Sequence, residues 1–512
     1  VTLLGKLNDA PQCPTKTKIE ASKIFNKITE TKVAPAKMSR SLAITQPLGK
    51  GIQKQFGPTE ALDGTILQIA TQDYAKTLAA FPVRKEEIKV LDFETAAKGE
   101  DDNDYIKGIN RSRSAGYPWI NQAGNGKRHW FGENTWTLDS AAALELKAHT
   151  EEQIAIMSRG EQVPYLFVDT LKDETRPLEK VIAGKTRVFA AAPMDFIIVF
   201  RQYFLCFIAH MMKHRIRNES AVGIRAQSYE WSMLAKKLQT KGNDMIAGDF
   251  SNYDGSLNAE ILWNVLDIIE SWYSLSEDYK PEDAIVRRML WENVVNSKHI
   301  VGDYVYQLNH SQPSGNPATA VLNSMYNSLS MRYVFFKNAP SKNISFTDHV
   351  SMIAYGDDNV LGVSPRIHEW FNQDTITDGY AEIGMTYTDE LKTGTRQGFK
   401  PLESCNFLKR GFSYDRELFT WMAPLCLDSI LECFNWIHKT ENEKDVMAQN
   451  ARMAFAELAM HDAQTFQQYR TKIRKTLMEN YSLNTISEGR SLYRAWIRDG
   501  SITSRVPELN WA

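Results

Sequence analysis

Ser351-Met352-Ile353-Ala354-Tyr355-Gly356-Asp357-Asp358-Asn359-Val360-Leu361-Gly362-Val363 sets two adjacent carboxylates at a turn between two apolar runs. Each flank, Met352 to Ala354 and Asn359 to Val363, is long enough for a buried strand, and Gly356-Asp357 is a favoured two-residue hairpin turn. The pattern predicts a β-hairpin with its carboxylates at the tip. Neighbouring anions repel unless water or a cation neutralises them, and hard oxygen donors of this kind suit Mg2+ or Mn2+. Gly-Asp also closes any solvated hairpin, so this stretch alone leaves a plain surface turn open.

A second carboxylate pair lies upstream, in Asp244-Met245-Ile246-Ala247-Gly248-Asp249-Phe250-Ser251-Asn252-Tyr253-Asp254-Gly255. An apolar strand is expected to end at Asp249, with Asp254 before a helix over Asn258 to Ser274. A charge closing an apolar strand is costly without a partner. Asp254 also reads as a helix cap, which leaves Asp249 unexplained. Between the two stretches lies Asn309-His310-Ser311-Gln312-Pro313-Ser314-Gly315-Asn316-Pro317, too rich in breakers for a regular element, followed by a helical pattern from Ala318 to about Asn338. Thr319 and Asn323 share a face of that helix. Such a loop offers backbone N–H groups to a polar ligand, or simply caps the helix.

Two further stretches are basic. Tyr165 to Val168 and Val188 to Ala190 read as strands, and from Lys172 to Arg187 five cations (Lys172, Arg176, Lys180, Lys185, Arg187) face three acids. Strand-like alternation aims Lys185 and Arg187 to one side, where phosphates are the natural partner; a solvated edge carrying protective lysines is the alternative. Asp104 to Trp119 is a small-residue loop with Arg111, Arg113 and flanking aromatics. That composition suits a nucleic-acid backbone, and equally a Ser/Gly surface loop.

Further helices are expected over Asp139 to Arg159, Met194 to Lys213, Met233 to Thr240, 281 to 297 and Pro365 to Ile383. Lys298 to Gln307 reads as a hairpin turning at Gly302-Asp303, Met385 to Gly394 as a polar strand and turn, and Cys405 to Phe412 as a basic hairpin. Beyond about 413 the pattern turns helical, over Asn442 to His461, Thr465 to Asn480 and Ile486 to Asp499, which reads as a separate domain. Residues 1 to 65 lack sustained periodicity, and their scattered Ile, Leu and Phe place them across another domain's surface.

The chain has 512 residues, enough for about three domains, with 43% apolar residues and a net charge of −2 from 60 basic and 62 acidic side chains. Any basic surface is therefore local. Five scattered cysteines, with no zinc-type spacing, read as free thiols in a reducing compartment. Met194 to Met212 is broken by Asp195, Arg201, Gln202 and His210, which argues against a spanning helix. No signal peptide is evident, so an intracellular location is expected.

The order of these stretches is more specific than any one of them. Asp249-x4-Asp254, Ser314-Gly315-x3-Thr319-x3-Asn323 and Tyr355-Gly356-Asp357-Asp358, preceded by the basic pair of strands, resemble the RNA-dependent RNA polymerases of picorna-like positive-strand RNA viruses. Gly248 to Leu257 is most similar to the dicistroviruses, and the resemblance runs from about 112 to 412.

The resemblance implies an α+β, closed right-hand polymerase fold, with an antiparallel palm sheet backed by helices and a helical thumb. It divides the chain into strap and fingers (1–243), palm (244–274), a fingers insertion (275–305), palm again (306–412) and thumb (413–512). It implies two ions per active site, Mg2+ or Mn2+, about 3.5 to 4 Å apart. Asp249 and Asp357 would bridge them, with Asp358 a supporting ligand. Lys172, Arg176, Lys180, Lys185 and Arg187 would line the NTP channel, and Asp254, Thr319 and Asn323, with Ser314 beside them, would read the ribose 2′-OH.

Lys392 would protonate the leaving pyrophosphate, although the family's lysine stands one residue earlier relative to Met385-Thr386. Lys409 and Arg410 would grip the primer, and Ser114, Gly116 and Pro118 the template. The implied partners are RNA template and primer, rNTPs, a small tyrosine-bearing genome-linked protein primer and other viral replication proteins. The implied location is the host cytoplasm, in membrane-associated replication complexes reached through partners. A reverse transcriptase shares the palm carboxylates, but Asp254, Asn323 and the glycine before Asp357 argue against it. A catalytically silent RNA-binding scaffold is opposed by the full acidic set, and a protease by the lack of a cysteine nucleophile motif.

Overall fold

The computed structural model describes residues 1–124 and 126–511. At its centre lies a four-stranded antiparallel sheet, in the order Val350–Tyr355, Asp358–Val363, Met245–Ser251, Thr386–Asp389. Tyr355 pairs with Asp358, so Gly356 and Asp357 form the two-residue turn, and Gly356 takes the left-handed φ of +59° that such a turn demands. The strands are apolar on both faces because helices cover one side and a second cluster of side chains covers the other. Met352, Leu361 and Ile246 join the helices Ala259–Tyr273 and Thr319–Asn338, while Ile353, Val360 and Ala247 face a cluster shared with the C-terminal region.

Asp249 does not end its strand, as the sequence suggested. The strand runs on to Ser251, because Thr386–Asp389 pairs with this last part and sets Thr388 opposite Asp249. A second, five-stranded sheet has the order Thr2–Lys6, Tyr304–Gln307, Lys298–Val301, Leu166–Leu171, Val188–Ala191, with one parallel pair between Leu166–Leu171 and Lys298–Val301.

The N-terminal 65 residues lie across the rest of the chain as expected, and three short strands fix them there. Thr2–Lys6 pairs with Tyr304–Gln307, Ile19–Ala21 with Trp436–His438, and Val33–Pro35 with Thr175–Pro177. Ile24 and Ile28 are buried in the C-terminal cluster. A segment with little periodicity is thus ordered by its partners.

Other expectations also need correction. The region beyond 413 opens with a hairpin, Ser413–Asp415 and Thr420–Met422, whose Trp421 and Met422 share a buried cluster with Trp231; the helices Glu443–Leu458, Ala463–Tyr481 and Arg490–Asp499 follow. The helix expected over Pro365 to Ile383 is a short turn, Pro365–Ile367, and a helix Gln373–Glu382 restarted by an Asn372/Thr375 capping box. No strand spans 185–187; a short helix, Leu178–Ile182, and a turn at Gly184 precede Val188–Ala191. The alternation holds all the same, with Thr186 buried and Lys185 and Arg187 exposed.

Among the described residues one helix, Met194–Lys213, is long and apolar enough to cross a membrane, and 83% of its apolar window is buried inside the molecule. Its Asp195 accepts a 2.8 Å hydrogen bond from Gln153, and its Arg201 donates to the Ala96 carbonyl at 2.6 Å. The five cysteines form no disulfide.

Candidate active site

The central sheet brings the two carboxylate stretches together. Asp249 Oδ1 accepts from the Phe250 N–H at 2.7 Å, and Oδ2 accepts from Lys392 Nζ at 3.0 Å. Asp357, at the hairpin tip, lies within hydrogen-bonding reach of Asp249; burial and that neighbouring carboxylate push its pKa up to about 7. Asp358 turns away and accepts the Leu408 N–H at 2.8 Å, and burial raises it to about 8. Among the described residues no group of three His, Cys, Asp or Glu side chains is arranged to hold one ion. The donor set is a facing pair, Asp249 and Asp357, with a third carboxylate held aside. Two oxygen donors set close enough to disfavour double ionisation, with an ammonium already against one of them, fit hard divalent cations.

Beside this pair, Asn323 Nδ2 donates to Asp254 Oδ1 at 2.7 Å, and Gln312 Nε2 donates to Asn323 Oδ1 at 2.8 Å. Burial holds the Asp254 carboxyl above its usual range. Thr319 is not part of this chain. Its hydroxyl donates back to the carbonyls of Asn316 (2.7 Å) and Ser314 (3.1 Å), because a threonine in the first turn finds the loop's free acceptors nearest. Ser314 Oγ accepts the Ala190 N–H at 3.2 Å. Gly315 has no alternative there, since a Cβ would sit 2.0 Å from the Ala190 carbonyl oxygen. The loop is therefore fastened to the basic strand pair.

At the end of that strand pair, Arg187 Nε and Nη2 donate to the two Glu174 carboxylate oxygens at 2.5 Å each, and this fork raises the Arg187 pKa. Lys172 Nζ lies 3.6 Å from Glu174. Asp357 and Asp254 are also close enough to act on Arg187. Arg176 and Lys180 are lowered by burial and by neighbouring cations. Sequence reasoning missed Lys54, whose ammonium is lowered by burial and then by Arg176, Lys185, Lys180 and Lys392. Nothing in Gly51-Ile52-Gln53-Lys54 marks it; the bond from Asn252 Nδ2 to the Lys54 carbonyl (2.8 Å) places that strand of chain here. Gln312 was missed likewise.

The residues expected to hold RNA divide. Ser114 and Pro118 are exposed, and Gly116 (φ +69°) is packed so that a Cβ would lie 2.5 Å from the Ala192 carbonyl oxygen. Buried Lys127 donates to the carbonyls of Ser114 (2.8 Å) and Arg113 (3.1 Å), and burial pulls it down to about 8. Arg111 is spent on four carbonyls, those of Phe131, Gly132, Asn134 and Thr135. The basic hairpin at 405–412 is only a tight turn, with Leu408 and Lys409 both at positive φ between Phe407 and Arg410. Lys409 is exposed. Arg410 is buried and donates to both Glu457 oxygens at 2.8 Å and to the Ala423 carbonyl at 2.9 Å, so it cannot grip a primer.

The sequence profile described as viral RNA-dependent RNA polymerase matches residues 36–494. The chain is 39% identical over 493 residues to the replicase polyprotein of acute bee paralysis virus, covering 92% of this chain and 25% of that protein. It is 38% identical over 499 residues to that of cricket paralysis virus, covering 93% and 28%. The chain thus spans about a quarter of these relatives' length. The solved Sicinivirus 3Dpol RNA dependent RNA polymerase superposes with a TM-score of 0.79 at 20% identity, over 98% of this chain and 99% of that one. That likeness gives the α+β right-hand polymerase fold. The chain belongs to the viral RNA-dependent RNA polymerase family.

Proposed function

We propose that the chain extends an RNA primer on an RNA template by two-metal nucleotidyl transfer from rNTPs, replicating a picorna-like positive-strand genome. The observation that carries this reading is the facing pair Asp249 and Asp357 beside the Asp254–Asn323 bond. Asp249 and Asp357 hold the cations, with Asp358 in support. Divalent cations, Mg2+ or Mn2+, supply the Lewis acidity that activates the primer 3′-hydroxyl and neutralises charge on the α-phosphate and the leaving pyrophosphate.

The remaining work belongs to the chain's own side chains. Arg187, released from Glu174, forks onto the triphosphate, and Lys172, Arg176, Lys180, Lys185 and Lys54 surround it with positive charge. Asp254 and Asn323 meet the ribose 2′-OH, and Ser314 with Thr319 shapes the loop beneath. The primer 3′-hydroxyl gives its proton to solvent water as its oxygen bonds to the α-phosphorus and the α–β bridging bond breaks, and Lys392 Nζ leaves Asp249 to protonate the departing pyrophosphate. Ser114, Gly116 and Pro118 guide the template, and Lys409 contacts the primer.

The division proposed is strap and fingers (1–243), palm (244–274 and 306–412), fingers insertion (275–305) and thumb (413–512). The N-terminal strands that pair with Trp436–His438 and Thr175–Pro177 support a strap between fingers and thumb. Initiation uses the tyrosine hydroxyl of a small genome-linked protein, and the enzyme works with other replication proteins in membrane-associated complexes of the host cytoplasm. The polyprotein setting of its relatives supports those partners.

The test is extension of a primed RNA by the purified chain. Metal-dependent incorporation of rNTPs in preference to dNTPs is expected; deoxynucleotide preference, or extension indifferent to metal, would remove the reading. Uridylylation of a peptide tyrosine tests the initiation mode, and de novo starts alone would overturn it.

A further inference from the structure

The hairpin tip is tied to its surroundings by groups that none of the motifs above explains. Gly356, the residue before Asp357, donates its N–H to Ser324 Oγ at 2.9 Å and accepts Asn327 Nδ2 on its carbonyl at 2.9 Å. Both partners lie on the Thr319–Asn338 helix, and Ser324 directly follows Asn323. Asn327 Oδ1 in turn accepts Asn359 Nδ2 at 3.0 Å, and Asn359 Oδ1 accepts the Tyr387 hydroxyl at 2.9 Å. The Tyr387 ring lies against Gly248, where a Cβ would fall 1.9 Å from the tyrosine oxygen, and Gly248 immediately precedes Asp249. The chain of bonds therefore begins one residue from Asp357 and ends against the residue before Asp249.

Every side chain in it is buried, with Asn327 and Asn359 at 0%, Ser324 at 1% and Tyr387 at 2% exposure. Polar side chains buried so completely cost stability unless all their groups are bonded, and a hydrophobic core needs none of them at this place. What the chain of bonds does is to fix the hairpin turn that carries Asp357 against the strand that carries Asp249. Adjacent anions push apart, and a backbone tied on both sides resists that force.

We infer that Asn327, Asn359 and Tyr387 are positioning residues that set the separation of the Asp249 and Asp357 carboxylates for their divalent cations. None touches a reacting atom. Because Asn323 and Ser324 are consecutive on one helix, the same helix fixes the sugar-reading bond and the tip of the metal hairpin. The inference rests on the two-metal reading above.

The experiment is Mn2+ binding to the RNA-free protein, followed by electron paramagnetic resonance, for wild type, Asn359→Leu and Tyr387→Phe. Asn359→Leu keeps the volume and deletes both side-chain bonds; Tyr387→Phe deletes only the last bond, so it guards against a fold lost altogether. Groups that orient metal ligands alter affinity by about 10- to 100-fold when removed. The expected result is Mn2+ affinity weakened by about tenfold in Asn359→Leu and by less in Tyr387→Phe. Template-primer affinity stays at the wild-type value, which a merely destabilised protein would not show. Wild-type Mn2+ binding with unchanged affinity in both variants overturns the positioning role alone. Absence of Mn2+ binding by the wild type overturns the two-metal reading and this inference with it.

Discussion

Asn323 Nδ2 and Asp254 Oδ1 meet at 2.7 Å between the long helix Thr319–Asn338 and the short helix Tyr253–Ser256, far apart in sequence, with Gln312 holding the other side of the Asn323 amide. Both polar groups are poised beside the carboxylate pair, and a site built to bond a hydroxyl discriminates against a substrate lacking it. Asn323→Leu is expected to reduce the preference for rNTP over dNTP by about tenfold, the worth of one hydrogen bond near 1.4 kcal/mol. Thr319→Val, whose hydroxyl serves the loop, is expected to leave sugar choice near wild type. Competitive incorporation of matched rNTP and dNTP measures both; equal effects of the two changes would refute the assignment.

Asp357→Asn removes one of the two facing carboxylates while keeping its shape. Metal-assisted stabilisation of the transferring phosphoryl group is worth several kcal/mol, so primer extension is expected to fall by about 1,000-fold or more. RNA affinity should be kept, because no template contact is altered. Single-turnover extension and filter binding separate the two quantities, and wild-type activity in the mutant would end the metal assignment.

The Arg187 fork on Glu174 is a two-pronged contact that a lysine cannot copy. Arg187→Lys is expected to lower kcat/KM for rNTP by about tenfold, since paired charge-assisted bonds exceed a single one by roughly 1.4 kcal/mol. Glu174→Gln leaves the guanidinium without its fork and should shift KM for rNTP while RNA affinity holds. Steady-state kinetics on a saturating primed template decide this, and unchanged KM in both variants would place the triphosphate elsewhere.

Neighbouring cations in the Leu408–Arg410 turn should behave differently. Arg410→Met strands the buried Glu457 carboxylate, and breaking a buried pair from one side costs about 3 to 5 kcal/mol. Lys409→Met should leave the unfolding transition in place but weaken RNA binding, reducing the salt slope by about one. Denaturant unfolding and salt-dependent RNA titration check the pair. The reverse pattern would mean that Arg410 reaches the RNA in solution.

Much of this arrangement was legible in the chain itself. The hairpin around Gly356-Asp357, the helices Met194–Lys213 and Thr319–Asn338, and the hairpin turning at Gly302-Asp303 follow from apolar periodicity and turn chemistry, which are local. Asp249 was marked by the cost of placing a charge on an apolar strand. By contrast, Lys54, Gln312 and Asn359 carry no local signal, and Arg410 reads the same from sequence whether it faces RNA or Glu457. Their roles are decided by which segments pack together, as when Asn252 meets the Lys54 carbonyl or Tyr387 lies over Gly248. The sequence alone marked Asp249 and Asp357, the carboxylates that the fold brings together, because the cost of a charge on an apolar strand and the spacing of turn residues are local properties. Only the tertiary structure decided which cations face them and which polar side chains hold them in place, because burial and hydrogen-bond partners depend on residues brought together from distant parts of the chain.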